Sequence, residues 1–335
     1  MDRRTFIRSS VASSVALGLS PYLAQSRNIL VKPKSIGVIG LDTSHSVAFS
    51  KIINEAPEGS PLAEYRITHA FPKGSEDITS SVSRIPGYIQ DVQALGVEIS
   101  DSIESLLSQV DFVMLETNDG RPHLAQAMKV FEAGKTVFID KPVAASLSDA
   151  VKIYQAAAQH HVPVFSASSL RFSPSTQAVA SGEKIGKIMG ADTFSPAKLE
   201  PTHPDFYWYG IHGIESLFTL MGKGCTTVRR TGNAGVDVVV GEWADGRIGT
   251  FRGIRDGHQT YGGTAYGTTG VAPAGMYEGY EHLVHEIIRF FGTGKPPVSP
   301  EETLEIYAFM TAADISKTKG GKPVKIADVL KKAGA

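Results

Sequence analysis

Residues 36–46 read IGVIGLDTSHS. With Ser35 in front, the first part is an unbroken apolar run, the pattern of a strand buried on both faces. Gly40 supplies the turn that ends it, and Thr43 and Ser44 can cap the helix expected over roughly residues 46–55. Working outward, the same unit repeats. YRITHAF (65–71) is a strand, DSIESLLSQ (101–109) a short helix with Asp101 or Ser102 as N-cap, and VDFVMLET (110–117) a buried strand. HLAQAMKVFEAGK (123–135) is an amphipathic helix closed by Gly134, TVFID (136–140) a strand, residues 146–161 a helix and VPVFSAS (162–168) a strand. Repeated strand–helix units of this length call for a parallel sheet wound by right-handed crossovers.

After about Arg171 the texture changes. TTVRRTG, DVVVGEWADG and IGTFRGIR alternate apolar and polar residues and are joined by turn pairs such as Asp245-Gly246, as in an antiparallel sheet with one wet face. A helix at Gly210–Met221 precedes them, two late helices follow, and the glycine-rich residues 261–279 read as a loop at the active site or a subunit contact. The fold class is therefore α/β: an N-terminal doubly wound Rossmann sheet over residues 31–160, then an α+β domain with an open, mostly antiparallel sheet over 161–335.

Composition narrows the function. A net charge of -1 gives no electrostatic footprint for nucleic acid. The single cysteine, Cys225, excludes an intrachain disulfide and a thiolate metal cluster. His203, Asp205, His212 and His258 show no recognisable ligand spacing, so no metal is expected. At the N-terminus, Arg3-Arg4, Phe6 and Arg8 precede a mild apolar run, Val11–Leu19, too short to span a membrane. This resembles a twin-arginine export signal, so residues 1–30 are expected to be signal and linker and the mature protein periplasmic or otherwise exported.

Longer words add a resemblance. DFVMLETNDGRPHLAQAMKVFEAGKTVFIDKPVA (111–144), SASSLRFSP (166–174) and the closing segment 280–316 resemble, in order and separation, the glucose-fructose oxidoreductase/inositol dehydrogenase/MocA family. The resemblance implies an NAD(P)-dependent oxidoreductase acting on a hydroxyl of a sugar, cyclitol or glycoside, in a dimeric or tetrameric assembly; with export, for which no dinucleotide pool is at hand, it implies a tightly bound, recycled cofactor. It places Lys141, followed by Pro142, between the nicotinamide ribose and the substrate hydroxyl. It makes His212 the general acid or base, yet the family's aspartate four residues earlier is here Trp208. Glu215, one turn later, or Asp205 is then the candidate helper. Arg171, Trp208 and Tyr209 are candidates for the substrate, aromatic rings being suited to the C–H faces of sugars. Asn118 and His123 fall in the nicotinamide-side loop, where His123 either meets the cofactor or caps its helix.

The cofactor site itself is altered. The glycine pattern for pyrophosphate is G-x-G-x-x-G, and aligned on Gly40 its second and third positions hold Asp42 and His45. Thr43, Ser44 and His45 can still face phosphates at a helix N-terminus, but a carboxylate there repels them, so Asp42 must turn away or cap the loop. The strand ending HAFPKGS lacks the acid that holds a ribose 2′-hydroxyl, and Lys73 and Ser75 suit a 2′-phosphate, which favours NADP over NAD. The alternative is a lyase, hydrolase or sugar-binding protein that keeps the fold around a degenerate dinucleotide site.

Overall fold

The computed structural model describes residues 32–335, so the expected export signal lies outside the described residues. Six strands form the first sheet: β1 (Lys34–Ile39), β2 (Tyr65–Phe71), β3 (Glu98–Ile99), β4 (Phe112–Leu115), β5 (Val137–Ile139) and β6 (Val164–Phe165). Their order is β3-β2-β1-β4-β5-β6 and every pairing is parallel. The crossovers carry α1 (Ser44–Asn54), α2 (Thr79–Ala94), α3 (Ile103–Leu107), α4 (His123–Glu132) and α5 (Leu147–Gln159). This is the doubly wound arrangement, whose strand order reverses between β1 and β4 and opens a crevice at the carboxyl ends of the strands. Thr43 caps α1, its Oγ1 accepting from His45 N at 3.4 Å, and Ser102 caps α3, accepting from Ser105 N at 3.0 Å.

After α6 (Pro174–Ala180) the chain builds a second sheet from β7 (Ile188–Pro196), β8 (Cys225–Gly232), β9 (Val236–Trp243), β10 (Ile248–Ile254), β11 (Gly262–Gly267), β12 (Val271–Ala274) and β13 (Val324–Lys325), with α7 (Ile211–Met221) between β7 and β8. The order is β12-β11-β7-β10-β9-β8-β13, antiparallel except for β7 against β10. The alternation in β9, buried at every second residue, gives one face to the core and one to solvent. Residues 261–279 depart from the expected loop: Gly263–Tyr266 pair with Val271–Ala274 as a hairpin at the sheet's edge. Small residues without an apolar alternation hide a strand whose order comes from its neighbour β7.

Two late helices, α8 (Glu281–Thr293) and α9 (Pro300–Thr318), precede β13 and the final α10 (Ile326–Ala333). Leu283, Val284, Ile287 and Phe290 of α8 return to the first sheet and share its core with Ile36, Val38 and Phe49. Pro33–Ala335 form one compact unit. Among the described residues, no helix is long and apolar enough to cross a membrane.

Candidate active site

A cavity of about 390 Å³ opens over the N-terminus of α1 and runs to the carboxyl end of β5 and the first turn of α7. That volume suits a small ligand. Gly40 lies at the end of β1, just ahead of the lining residues Thr43–His45. Its φ of 96° is left-handed, and a Cβ there would stand 2.5 Å from Thr117 N, so the β1 and β4 chain ends approach as closely as they do only because Gly40 has no side chain. Thr43, Ser44, His45, Asn118, Lys141, Trp208, Tyr209 and His212, all candidates from the sequence, line the cavity.

Asp42 does not. It is fully buried, and its carboxylate accepts from Ser81 Oγ at 2.7 Å and from Asn118 N at 3.0 Å. It therefore ties the loops after β1 and β4 to α2, away from the cavity wall. Gly74 packs so closely on this carboxylate that a side chain there would collide with it.

Lys141 follows β5, with a cis peptide to Pro142, and is only 6% exposed. Burial works against its charge, but the Asp140 carboxylate 3.3 Å away holds the ammonium above its ordinary value, so the group is cationic at neutral pH. Across the cavity His212 is held well below the usual imidazole value, first by burial and then by the nearby Lys141 cation. It is a neutral base. Its Nδ1 lies 2.8 Å from Ser168 Oγ. With Nδ1–H donated to that hydroxyl, Nε2 keeps its lone pair. Ser168 thus occupies the orienting role expected of a carboxylate. Asp205 is committed elsewhere, to Arg230 at 2.7 Å and Lys317 at 2.6 Å.

Several sequence candidates lie off the cavity. Glu215 accepts from Arg171 Nε at 2.7 Å, and Arg171 also reaches Glu302 at 2.8 Å; all three sit behind α7, so neither Glu215 nor Arg171 faces the cavity. Although Glu215 stands only three residues after His212 on the same helix, it is drawn to Arg171, whose buried guanidinium supplies the countercharge. His123 opens α4 but does not cap it. Its ring is buried between Thr117 O, 2.7 Å from Nε2, and Val143 O, 3.3 Å from Nδ1. Lys73 is exposed and off the cavity, and Ser75 Oγ is spent on Asp119 at 2.7 Å within a network closed by Arg121 and Asp77. The reason for expecting a 2′-phosphate at Lys73 and Ser75 therefore falls away. His203 accepts from Gly120 N at 3.1 Å and His258 is exposed, so the histidines weighed for a metal do not converge.

The structure adds residues that sequence reasoning did not single out. Tyr261 and Tyr277 come from the two ends of the β11–β12 hairpin, and Tyr280 from the start of α8. Tyr280 sits edge-on to His45 with ring centroids 4.8 Å apart, and Tyr261 stands 5.8 Å from His212. Among the described residues, Arg84, Lys141 and Lys198 place three cations around the cavity and no carboxylate lines it. The signal for the tyrosines was their density in a stretch without periodicity. Arg84 and Lys198 carried none.

Residues 35–168 match the Gfo/Idh/MocA family, described as an oxidoreductase family with an NAD-binding Rossmann fold. No curated protein sequence matches the chain. Among solved structures, the chain is similar to a probable dehydrogenase from Thermotoga maritima, at a TM-score of 0.73 and 18% identity over 88% of this chain and 99% of the other. It is also similar to scyllo-inositol dehydrogenase from Lactobacillus casei with bound NAD(H) and scyllo-inositol, at 0.69 and 17% over 88% and 100%, and to myo-inositol 2-dehydrogenase from Lactobacillus plantarum, at 0.70 and 16% over 88% and 99%.

The residues fit a dinucleotide. The α1 N-terminus faces an open cavity, Thr43 and Ser44 add hydroxyls, Arg84 adds countercharge, and the one carboxylate that would repel a pyrophosphate is turned inward. The ribose acid usual after β2 is missing, and Ser80 and Arg84 of α2 stand at that end instead. The stretch that opens with GLDTSHS thus offers donors of the kind the glycine pattern supplies, and residues 35–168 match the NAD-binding Rossmann fold of the Gfo/Idh/MocA oxidoreductase family.

Proposed function

We propose that the protein is an NAD(P)-dependent oxidoreductase that acts on a ring hydroxyl of a sugar, cyclitol or glycoside. One observation carries this reading: a single cavity joins the α1 N-terminus to a cationic Lys141 and a neutral His212 beneath aromatic side chains. Trp208 and Tyr209 suit the C–H face of a sugar ring. Lys141 orients the reacting hydroxyl and stabilises the negative charge that grows on its oxygen. His212 Nε2 receives the hydroxyl proton in the tautomer whose Nδ1–H is donated to Ser168 Oγ. A nicotinamide dinucleotide held over the α1 N-terminus would supply the hydride donor or acceptor for the substrate carbon.

Export rests on the Arg3-Arg4 segment, and it makes retention of the cofactor through a closed cycle the economical arrangement, since no dinucleotide pool surrounds an exported enzyme. A homo-oligomer is supported by exposed apolar residues on the second sheet: Ile248 and Tyr266, 55% and 42% exposed, both pair with Gly190 and so share one face. The test is to denature folded protein purified without added dinucleotide and to assay the supernatant for NAD and NADP. Near one equivalent per chain is expected. A site that stays empty when micromolar NAD(P) is supplied would overturn the redox reading in favour of a lyase, hydrolase or sugar-binding role.

A further inference from the structure

Behind the cavity wall lies a cluster that the redox chemistry does not use. The register sets Leu115 beside Ile139, so the next residues, Glu116 and Asp140, leave adjacent strands side by side. His45, in the first turn of α1, projects onto them. One ligand atom from each of the three lies within 4.8 Å of the other two. Glu116 and Asp140 are fully buried and His45 is 6% exposed.

The hydrogen bonds here do not close. His45 Nδ1 meets Asp140 Oδ2 at 2.9 Å, and Lys141 Nζ approaches the same oxygen at 3.3 Å. Asp140 Oδ1 and both oxygens of Glu116 have no hydrogen-bond partner among the described residues. Three unpartnered carboxyl oxygens in a buried interior are costly, and native interiors rarely tolerate them without a water or an ion. Two carboxylates at neighbouring strand ends also repel each other. A cation would answer both problems at once. The geometry is compatible: adjacent ligands about 2.1 Å from a metal at near right angles stand about 3.0 Å apart, the spacing that His45 Nδ1 and Asp140 Oδ2 already have.

We propose that His45, Glu116 and Asp140 form a binding site for one divalent first-row metal ion. One imidazole with two carboxylates suits zinc, manganese or ferrous iron better than calcium, which prefers six to eight oxygens. Lys141 competes for Asp140, so the affinity depends chiefly on Glu116, which has no hydrogen-bond partner among the described residues. Because His45 also lines the cavity, an ion held there is one side chain away from it. The proposal stands independently of the redox reading.

The experiment uses the full folded chain, stripped with chelator and loaded separately with Zn²⁺, Mn²⁺ and Co²⁺. Metal retained after gel filtration is quantified, and unfolding temperature is measured with and without each ion. About one equivalent and an upward thermal shift are expected for at least one of the ions. Glu116→Gln, which preserves volume and removes the charge, and His45→Gln should each weaken binding at least tenfold. No retained ion in the wild type, or equal retention by both variants, overturns the proposal. If a variant does not fold, the ¹⁵N-histidine spectrum of the wild type decides: Co²⁺ or Mn²⁺ must broaden the His45 imidazole selectively, and broadening confined to exposed histidines such as His258 defeats it.

Discussion

Replacing Asp42 by alanine separates two uses of a carboxylate in the dinucleotide loop. Asp42 is fully buried and accepts from Ser81 Oγ and Asn118 N. Hydrogen bonds to a charged group each contribute about 1.5–3 kcal/mol, so losing both removes about 3–6 kcal/mol. The lower end applies, because Asp42 also repels the neighbouring Glu116 carboxyl and that repulsion disappears with it. A loss of about 3 kcal/mol is a large part of the roughly 5–15 kcal/mol that holds a domain folded. At about 2–4 °C per kcal/mol it lowers Tm by about 6–12 °C. Ser81→Ala, which removes one of the two bonds, should cost about half as much. Because the carboxylate faces away from the cavity, Asp42→Ala and Asp42→Asn should change the Kd for NAD or NADP by less than about threefold. Thermal and urea unfolding, with dinucleotide titration on the same samples, check both statements. A tenfold gain in dinucleotide affinity with an unchanged Tm would refute the reasoning, since it would place the charge against the pyrophosphate.

Other expectations follow from the same geometry. Lys141→Met should reduce turnover per folded molecule by about 10²–10⁴-fold, the usual range for a group that handles a reacting proton, while circular dichroism shows that the fold forms and Tm falls because buried Asp140 loses a countercharge. Glu215→Gln should act on stability rather than chemistry: breaking its buried pair with Arg171 costs about 3–5 kcal/mol, and the rate per folded molecule should stay within about threefold. A hundredfold fall in kcat at unchanged stability would return Glu215 to the catalytic set. His212 is held neutral in the folded state, whereas the unfolded chain takes up a proton below about pH 6.5, so its contribution is complete above that pH and is lost on acidification. The slope approaches about 1.4 kcal/mol per pH unit, and urea unfolding at pH 7.5 and 5.5 should show a shallower pH dependence in His212→Asn than in the wild type.

Most of the alternation of buried strands and amphipathic helices from residue 35 to residue 168 was legible because burial on both faces leaves continuous apolar runs; α2, with Pro86 inside it and few buried residues, and the two-residue β3 carry no such pattern and were not anticipated. The same legibility put Gly40 at a turn and Lys141 at a strand's carboxyl end, where an open sheet binds ligands. The hairpin at Gly262–Ala274 was not legible, since its strands are ordered by an edge pairing with β7 rather than by their own pattern. Side-chain partnerships were the least accessible. Glu215 and His212 are three residues apart on one helix, yet one meets Arg171 and the other the cavity. Asp42 reads as an obstacle to pyrophosphate until Ser81, 39 residues away, is seen to hold it inward. His45, Glu116 and Asp140 come together only through strand register and the angle of the first helix. Periodicity records how much of each residue is buried, and for that the sequence alone sufficed. Which buried group faces which is decided by the packing of distant elements, which no local pattern encodes.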